Sequence, residues 1–182
     1  MECIQTVINT LSDWTGLKAI PSLCDLTPEK HDVVLDVPSY SQTDDYSCGA
    51  IGAWSIVETF SPRANFWRFY QAVQPVPGEG VGPGPLIWAL RKFKVGARMR
   101  TKMGWADIKK TIDNGFPMLI GTGMDSPEGD HWNVLYGYGL HPRRVYLGNQ
   151  IGVLCNQCRV DWDEFLESWW NPVGKAVVCW GR

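Results

Sequence analysis

The stretch YSQTDDYSCGAIGAW, Tyr40 to Trp54, decides how this chain is read. A polar loop passes into a run of small and apolar residues, and Cys48 stands at the junction, followed at once by Gly49 and Ala50. Beyond it, GAIGAWSIVETF carries small and apolar residues at helical spacing, which predicts a buried helix of about three turns. A Cys at a helix start has chemical potential. The first backbone N–H groups of a helix lack partners within it, and its positive end favours the thiolate, which is the nucleophilic form. Gly49 and Ala50 would leave room for a substrate to approach. The plain alternative is a small buried residue, since free Cys is among the most buried residue types.

The rest of the chain bears on that choice. Gln42 lies six residues before Cys48, where its side-chain amide could join the Cys48 N–H in holding a developing oxyanion. A base should be a His, and there are three. His31 lies in the polar connector TPEKHD, and His141 precedes a Pro in LHPRR. His131 opens the strand HWNVLYGYGL directly after a Gly-containing loop, and its placement is the best of the three. Asn149 ends the next expected strand, VYLGN. If those two strands pair antiparallel, His131 and Asn149 meet at one sheet edge, where Asn149 can orient the imidazole. Trp132 and Trp54 are candidate substrate-binding residues. Each assignment has a structural counterpart: a His satisfied by a carbonyl, a loop amide at Gln42, an Asn that serves a turn at 149. Asp44, Asp45 and Asp130 read as surface acids beside the site.

Elements outside the opening stretch follow from pattern. Ile4, Val7, Ile8 and Leu11 predict a short amphipathic helix, about residues 3 to 14, within an N-terminal arm of residues 1–30. VVLDVPSY is β-rich and stops at a Pro. ANFWRFYQAV, LIWALRKF, WADIKKTIDNG and DWDEFLESWW read as helices, with Asn-Gly and then Pro117 as a stop signal after the third. MLIGTG, HWNVLYGYGL, RRVYLGN, CRVDW and KAVVCW read as strands, and Asn156-Gln157 as a turn between GVLC and CRVDW. GEGVGPG, Gly78 to Gly84, is loop chemistry in the wrong context for a phosphate loop, and borders the expected cleft. Helices that dominate the first half and strands that dominate the second, joined there by short turns, predict an α+β fold with a mainly antiparallel sheet.

Taken in order, Val37-Pro38, Gln42, Cys48-Gly49-Ala50, the helix ending near Gly96, the Trp105–Pro117 segment, GDHWNVLYGYG and VYLGN resemble the C39-type peptidase-like family of papain-like cysteine peptidases. The resemblance covers roughly residues 33 to 180 and implies one domain, 31–182, with the nucleophile helix of an N-terminal helical half packed on the sheet. It implies a thiol-dependent hydrolase of peptide or amide bonds that works through an acyl-enzyme, with a Cys48–His131–Asn149 site, Gln42 at the oxyanion, and a peptide or protein substrate. Acyl transfer, a related cell-wall amidase, and a papain-like binding module with its chemistry unused are the alternatives. The family often carries Asp-Pro at the third position, so Asn149 orients without adding charge. Cys155 and Cys158 are not part of the family pattern.

Bulk properties narrow the setting. With 17 basic and 19 acidic residues and a net charge of −2, the chain has no nucleic-acid footprint. Its one basic run, RKFKVGARMRTK (Arg91 to Lys102), reads mainly as a solvated face. No stretch has the ~20 apolar residues of a membrane helix. The first residues lack the charged n-region of a secretion signal, and no transporter segment appears, so a cytoplasmic location is expected. Six Cys then read as reduced thiols. One Cys-xx-Cys supplies two of the about four ligands zinc needs, so neither a metal nor a cofactor is expected. Oligomeric state is left open.

Overall fold

A computed structural model describes residues 19–21, 28–42, 44–123, 130–149, 158–169 and 174–182. Their elements, in chain order, are β1 (Ala19–Pro21), β2 (Val33–Val34), β3 (Tyr40–Gln42), α1 (Cys48–Phe60), α2 (Phe66–Val73), α3 (Pro83–Lys92), β4 (Val95–Arg100), α4 (Trp105–Asp113), β5 (Met118–Gly123), β6 (Asp130–Leu140), β7 (Arg143–Gly148), β8 (Cys158–Asp161), α5 (Trp162–Ser168) and β9 (Ala176–Gly181).

Seven strands form one antiparallel sheet in the order β4-β9-β5-β6-β7-β8, with β2 joined to β6. Side chains alternate across it as the two-residue period of a strand requires. Leu119, Val134, Tyr136, Tyr146, Val177 and Cys179 face one core. Met118, Ile120, Leu135, Val145, Leu147 and Ala176 face a second. Helix α1 and the buried sides of α2 and α3 fill the first core, while α4 and α5 cover the second. With both faces covered, the central strands are apolar on both sides, which explains runs such as MLI and VYL.

Local chemistry sets the helix limits. Residues 48–57 of α1 are all buried, as befits a helix apolar on every side. It stops at Ser61, before Pro62, because a residue preceding Pro is disfavoured in helical geometry. The Asn65 side chain caps α2 by accepting the Arg68 N–H at 3.0 Å. Pro83, in the first turn of α3, loses no hydrogen bond there because those N–H groups have no helical partner.

Two expectations change. VVLDVPSY is not one strand. Val33 and Val34 pair with Tyr138 and Gly137 of β6, the chain then leaves the sheet, and β3 pairs with β1 in a separate two-stranded ladder. Pro38 lies between the two pieces and has no N–H to offer a ladder. The helices expected in the second half are present as α4 and α5, which cover the sheet's second face. Strand β1 lies within the arm read as helical. The expected helix near residues 3 to 14, Cys155 and the Asn156-Gln157 turn lie outside the described residues. Among the described residues no helix is long and apolar enough to cross a membrane.

Candidate active site

Cys48 is the first residue of α1. The loop before it is held by Asp44, whose Oδ1 accepts the Ser47 N–H at 2.7 Å and the Tyr46 N–H at 3.3 Å. That carboxylate turns the chain into the helix. The Cys48 sulfur lies against the backbone N–H groups of Trp132, Gly49 and Cys48 itself. Residue 132 follows His131, so the start of β6 meets the start of α1.

Strand pairing then brings in Asn149. Val134 of β6 stands opposite Gly148 of β7, so the antiparallel ladder carries His131 and Asn149 to the same edge. His131 Nε2 lies 2.5 Å from the Asn149 backbone oxygen. A carbonyl only accepts, so Nε2 carries the hydrogen and Nδ1 is left as the basic nitrogen of the neutral ring. Orientation of the imidazole thus comes from the main chain of Asn149. Its side chain does something else: Nδ2 donates to the Cys48 carbonyl at 2.8 Å and to the Trp132 carbonyl at 2.6 Å, tying α1 to β6. Both partners are acceptors, which identifies that atom as nitrogen. Asn149 has φ 62°, a left-handed conformation that Asn adopts more readily than most residues. The turn and the tether use the same residue.

Gln42, at the end of β3, donates one Nε2 hydrogen to the Asp44 carbonyl at 2.7 Å. Its Oε1 is buried with no partner among the described residues. The other two His residues are elsewhere: His31 and His141 meet edge-to-face at 6.4 Å, with His141 just past the far end of β6.

The site is closed. Cys48 and His131 are each 6% exposed. Burial is the leading influence on both, pushing the Cys48 thiol up and the His131 imidazole down, so both rest in their neutral forms. The Trp132 and Gly49 N–H groups oppose the rise at Cys48, and the Asp44 carboxylate adds to it. Replacement of Asp44 by Asn keeps an oxygen for the Ser47 N–H and removes the negative charge. The Cys48 thiol then ionises more readily, and its alkylation, followed across pH by mass spectrometry, is expected to shift to lower pH. An unchanged profile would remove Asp44 from the account.

The closing wall is the loop before α3. The Trp132 indole N–H donates to the Val81 carbonyl at 2.9 Å. A Cβ on residue 49 would sit 2.5 Å from Val81 Cγ1 and 3.0 Å from Trp132 Cδ1. Gly49 therefore accommodates this loop, where the sequence suggested room for substrate. Trp132 holds the wall, and Trp54 is a core residue, packed edge-on to Phe66 at 5.3 Å and against Phe69 at 5.9 Å. Both rings are buried. Sequence reasoning passed over the turn-forming role of Asp44, although an Asp three residues before a helix cap is a readable turn signal. It had no signal for Val81, which reaches residue 49 only through tertiary packing.

A buried helix that begins at Cys48 and packs on an antiparallel sheet is the arrangement of the papain-like cysteine-peptidase fold. More narrowly, the chain has the fold of C39 peptidase domains. A C39-like peptidase from Bacillus anthracis superposes with a TM-score of 0.65 at 18% identity, over 84% of this chain and 99% of that one. A double-glycine-motif protease from an AMS/PCAT transporter, in complex with its leader peptide, gives 0.63 at 16% identity, over 85% and 100%. The peptidase domain of Streptococcus ComA, a bifunctional ABC transporter of a quorum-sensing pathway, gives 0.61 at 15%, over 78% and 96%. No family model and no curated protein matches the sequence.

Proposed function

We propose that this chain is a thiol-dependent hydrolase of peptide or amide bonds, acting on a peptide or protein substrate. The observation that carries the reading is the pairing of His131 Nε2 with the Asn149 carbonyl, which leaves Nδ1 as a base next to the residue whose N–H touches the Cys48 sulfur. In this mechanism His131 Nδ1 takes the Cys48 proton and the sulfur attacks the substrate carbonyl carbon. The Cys48 N–H and the second Nε2 hydrogen of Gln42 hold the oxyanion. The C–N bond breaks, the amine leaves with the proton from His131, and a thioester remains. Water, deprotonated by His131, then hydrolyses it. An amine in place of water gives acyl transfer through the same intermediate. The leader peptide bound by the double-glycine protease supports a peptide as the ligand class.

Gln42→Ala tests the oxyanion assignment. It is expected to slow peptide turnover roughly 10²–10³-fold while leaving the Cys48 nucleophile in place. Unchanged turnover would return Gln42 to a loop-holding role through Asp44. A second reading has its own observation: a Cys48 this shielded, with its thiol pushed up, suits a papain-like module that binds peptides without cleaving them. Binding of a peptide with no cleavage, identical in wild type and Cys48→Ala, would favour that reading.

A further inference from the structure

Two residues of the basic run left unassigned by the hydrolase reading, Arg98 and Arg100, line a cavity of about 380 Å³, within the range of small-molecule sites. Arg98 and Arg100 lie two residues apart on the edge strand β4, so they share a face. Lys110 of α4 lines the same cavity, and Phe116 and Trp180 supply aromatic surface, their ring centroids 6.2 Å apart. The Trp180 indole lies directly across Gly96, where a Cβ would fall 2.2 Å from ring atoms. Any larger residue at 96 would lift the ring, so the strand is shaped for this platform.

Among the described residues, charge in the cavity is not compensated. Asp107 is its one carboxylate, and that group's Oδ2 accepts the Gly104 N–H at 3.0 Å. Among the described residues, the side chains of Arg98, Arg100 and Lys110 have no acceptor. Arg144, by contrast, is bound to Glu29 and Asp32, and Lys109 to Asp113. Three cations line one concave surface, and with Asp107 beside them the surplus of two positive charges matches a phosphate monoester, which carries about −1.5 to −2 near neutral pH. Guanidinium groups engage phosphate oxygens in pairs, and an indole face stacks on flat rings.

We propose that this cavity binds a phosphate ester bearing a flat ring, of the nucleoside monophosphate class, with phosphate on Arg98, Arg100 and Lys110 and the ring on Trp180. The site is separate from Cys48. It lies on the α4 side of the sheet, beside the end of β5 where Met118 pairs with Val178, whereas His131 pairs with Thr122 near that strand's other end.

The test is calorimetric titration of the full chain with adenosine monophosphate and, separately, with inorganic phosphate. Saturable binding of the nucleotide, tighter than phosphate, is expected. The exposed Arg98→Ala and Arg100→Ala changes should each weaken it roughly tenfold, with circular dichroism unchanged. Trp180→Leu should bring nucleotide affinity toward that of phosphate. Cys48→Ala should leave binding intact. Absence of saturable binding at millimolar nucleotide would overturn the proposal, as would binding indifferent to both arginine changes. Capture of a poly-glutamate peptide, but not the nucleotide, through Arg98 and Arg100 would overturn it in favour of an acidic protein partner.

Discussion

Replacement of His131 by Ala is expected to lower peptide turnover roughly 10²–10⁴-fold, the usual contribution of a positioned general base. The size follows from the resting state. Burial holds the Cys48 thiol protonated, so little thiolate exists without an acceptor for the proton. In the proposed mechanism the imidazole is that acceptor, since the Asn149 carbonyl occupies Nε2 and frees Nδ1. Ala removes the base and leaves the sulfur with its N–H neighbours intact. His131→Gln serves as the companion variant: it keeps a polar side chain near the Asn149 carbonyl and should preserve the fold while losing comparable activity. Turnover within a few-fold of wild type in either folded variant would show that His131 does not move the proton.

Asn149→Asp is expected to be worse for stability than its single-atom size suggests. In a papain-like site with a carboxylate as third member, this change would be mild. Here the atom replaced is the Nδ2 that donates to the carbonyls of Cys48 and Trp132. An oxygen in its place removes both bonds and faces two buried acceptors with a third, at about 1–3 kcal/mol for each lost bond. Asn149→Gly separates the two duties. It tolerates φ 62° and keeps the backbone oxygen for His131, but loses the tether. The expected order of denaturation midpoints is wild type, then Gly, then Asp. If Asp equals wild type in stability, the side chain does not hold α1 to β6, and the amide has been assigned the wrong duty.

Much of this arrangement is legible in sequence where it depends on pattern. The small and apolar run after Cys48 forecasts a helix buried on all sides, and the strand that opens with His131 pairs with the one that ends at Asn149. Those are consequences of periodicity and short turns. What escapes is the division of labour within Asn149. A sequence names the residue but not which of its atoms meets the imidazole, and the main-chain oxygen does so because a left-handed turn aims it there. Gly49 is a similar case. Its role follows from Val81, more than 30 residues away, which arrives through the Trp132 indole. The ladder between β1 and β3 was hidden for another reason: three residues are too few to show an alternation, and the flanking polar stretch carries no apolar period.

Reaction of Cys48 with iodoacetamide, mapped by mass spectrometry on the folded protein, tests the central claim most directly because it requires no known substrate. Cys158 is an internal reference, being half-buried with its thiol pushed up to about 11 by burial. Cys48 should be modified faster than Cys158, and His131→Ala should slow Cys48 while leaving Cys158 unchanged. Equal Cys48 labelling with and without His131, or no labelling of Cys48 while the protein stays folded, would contradict that claim.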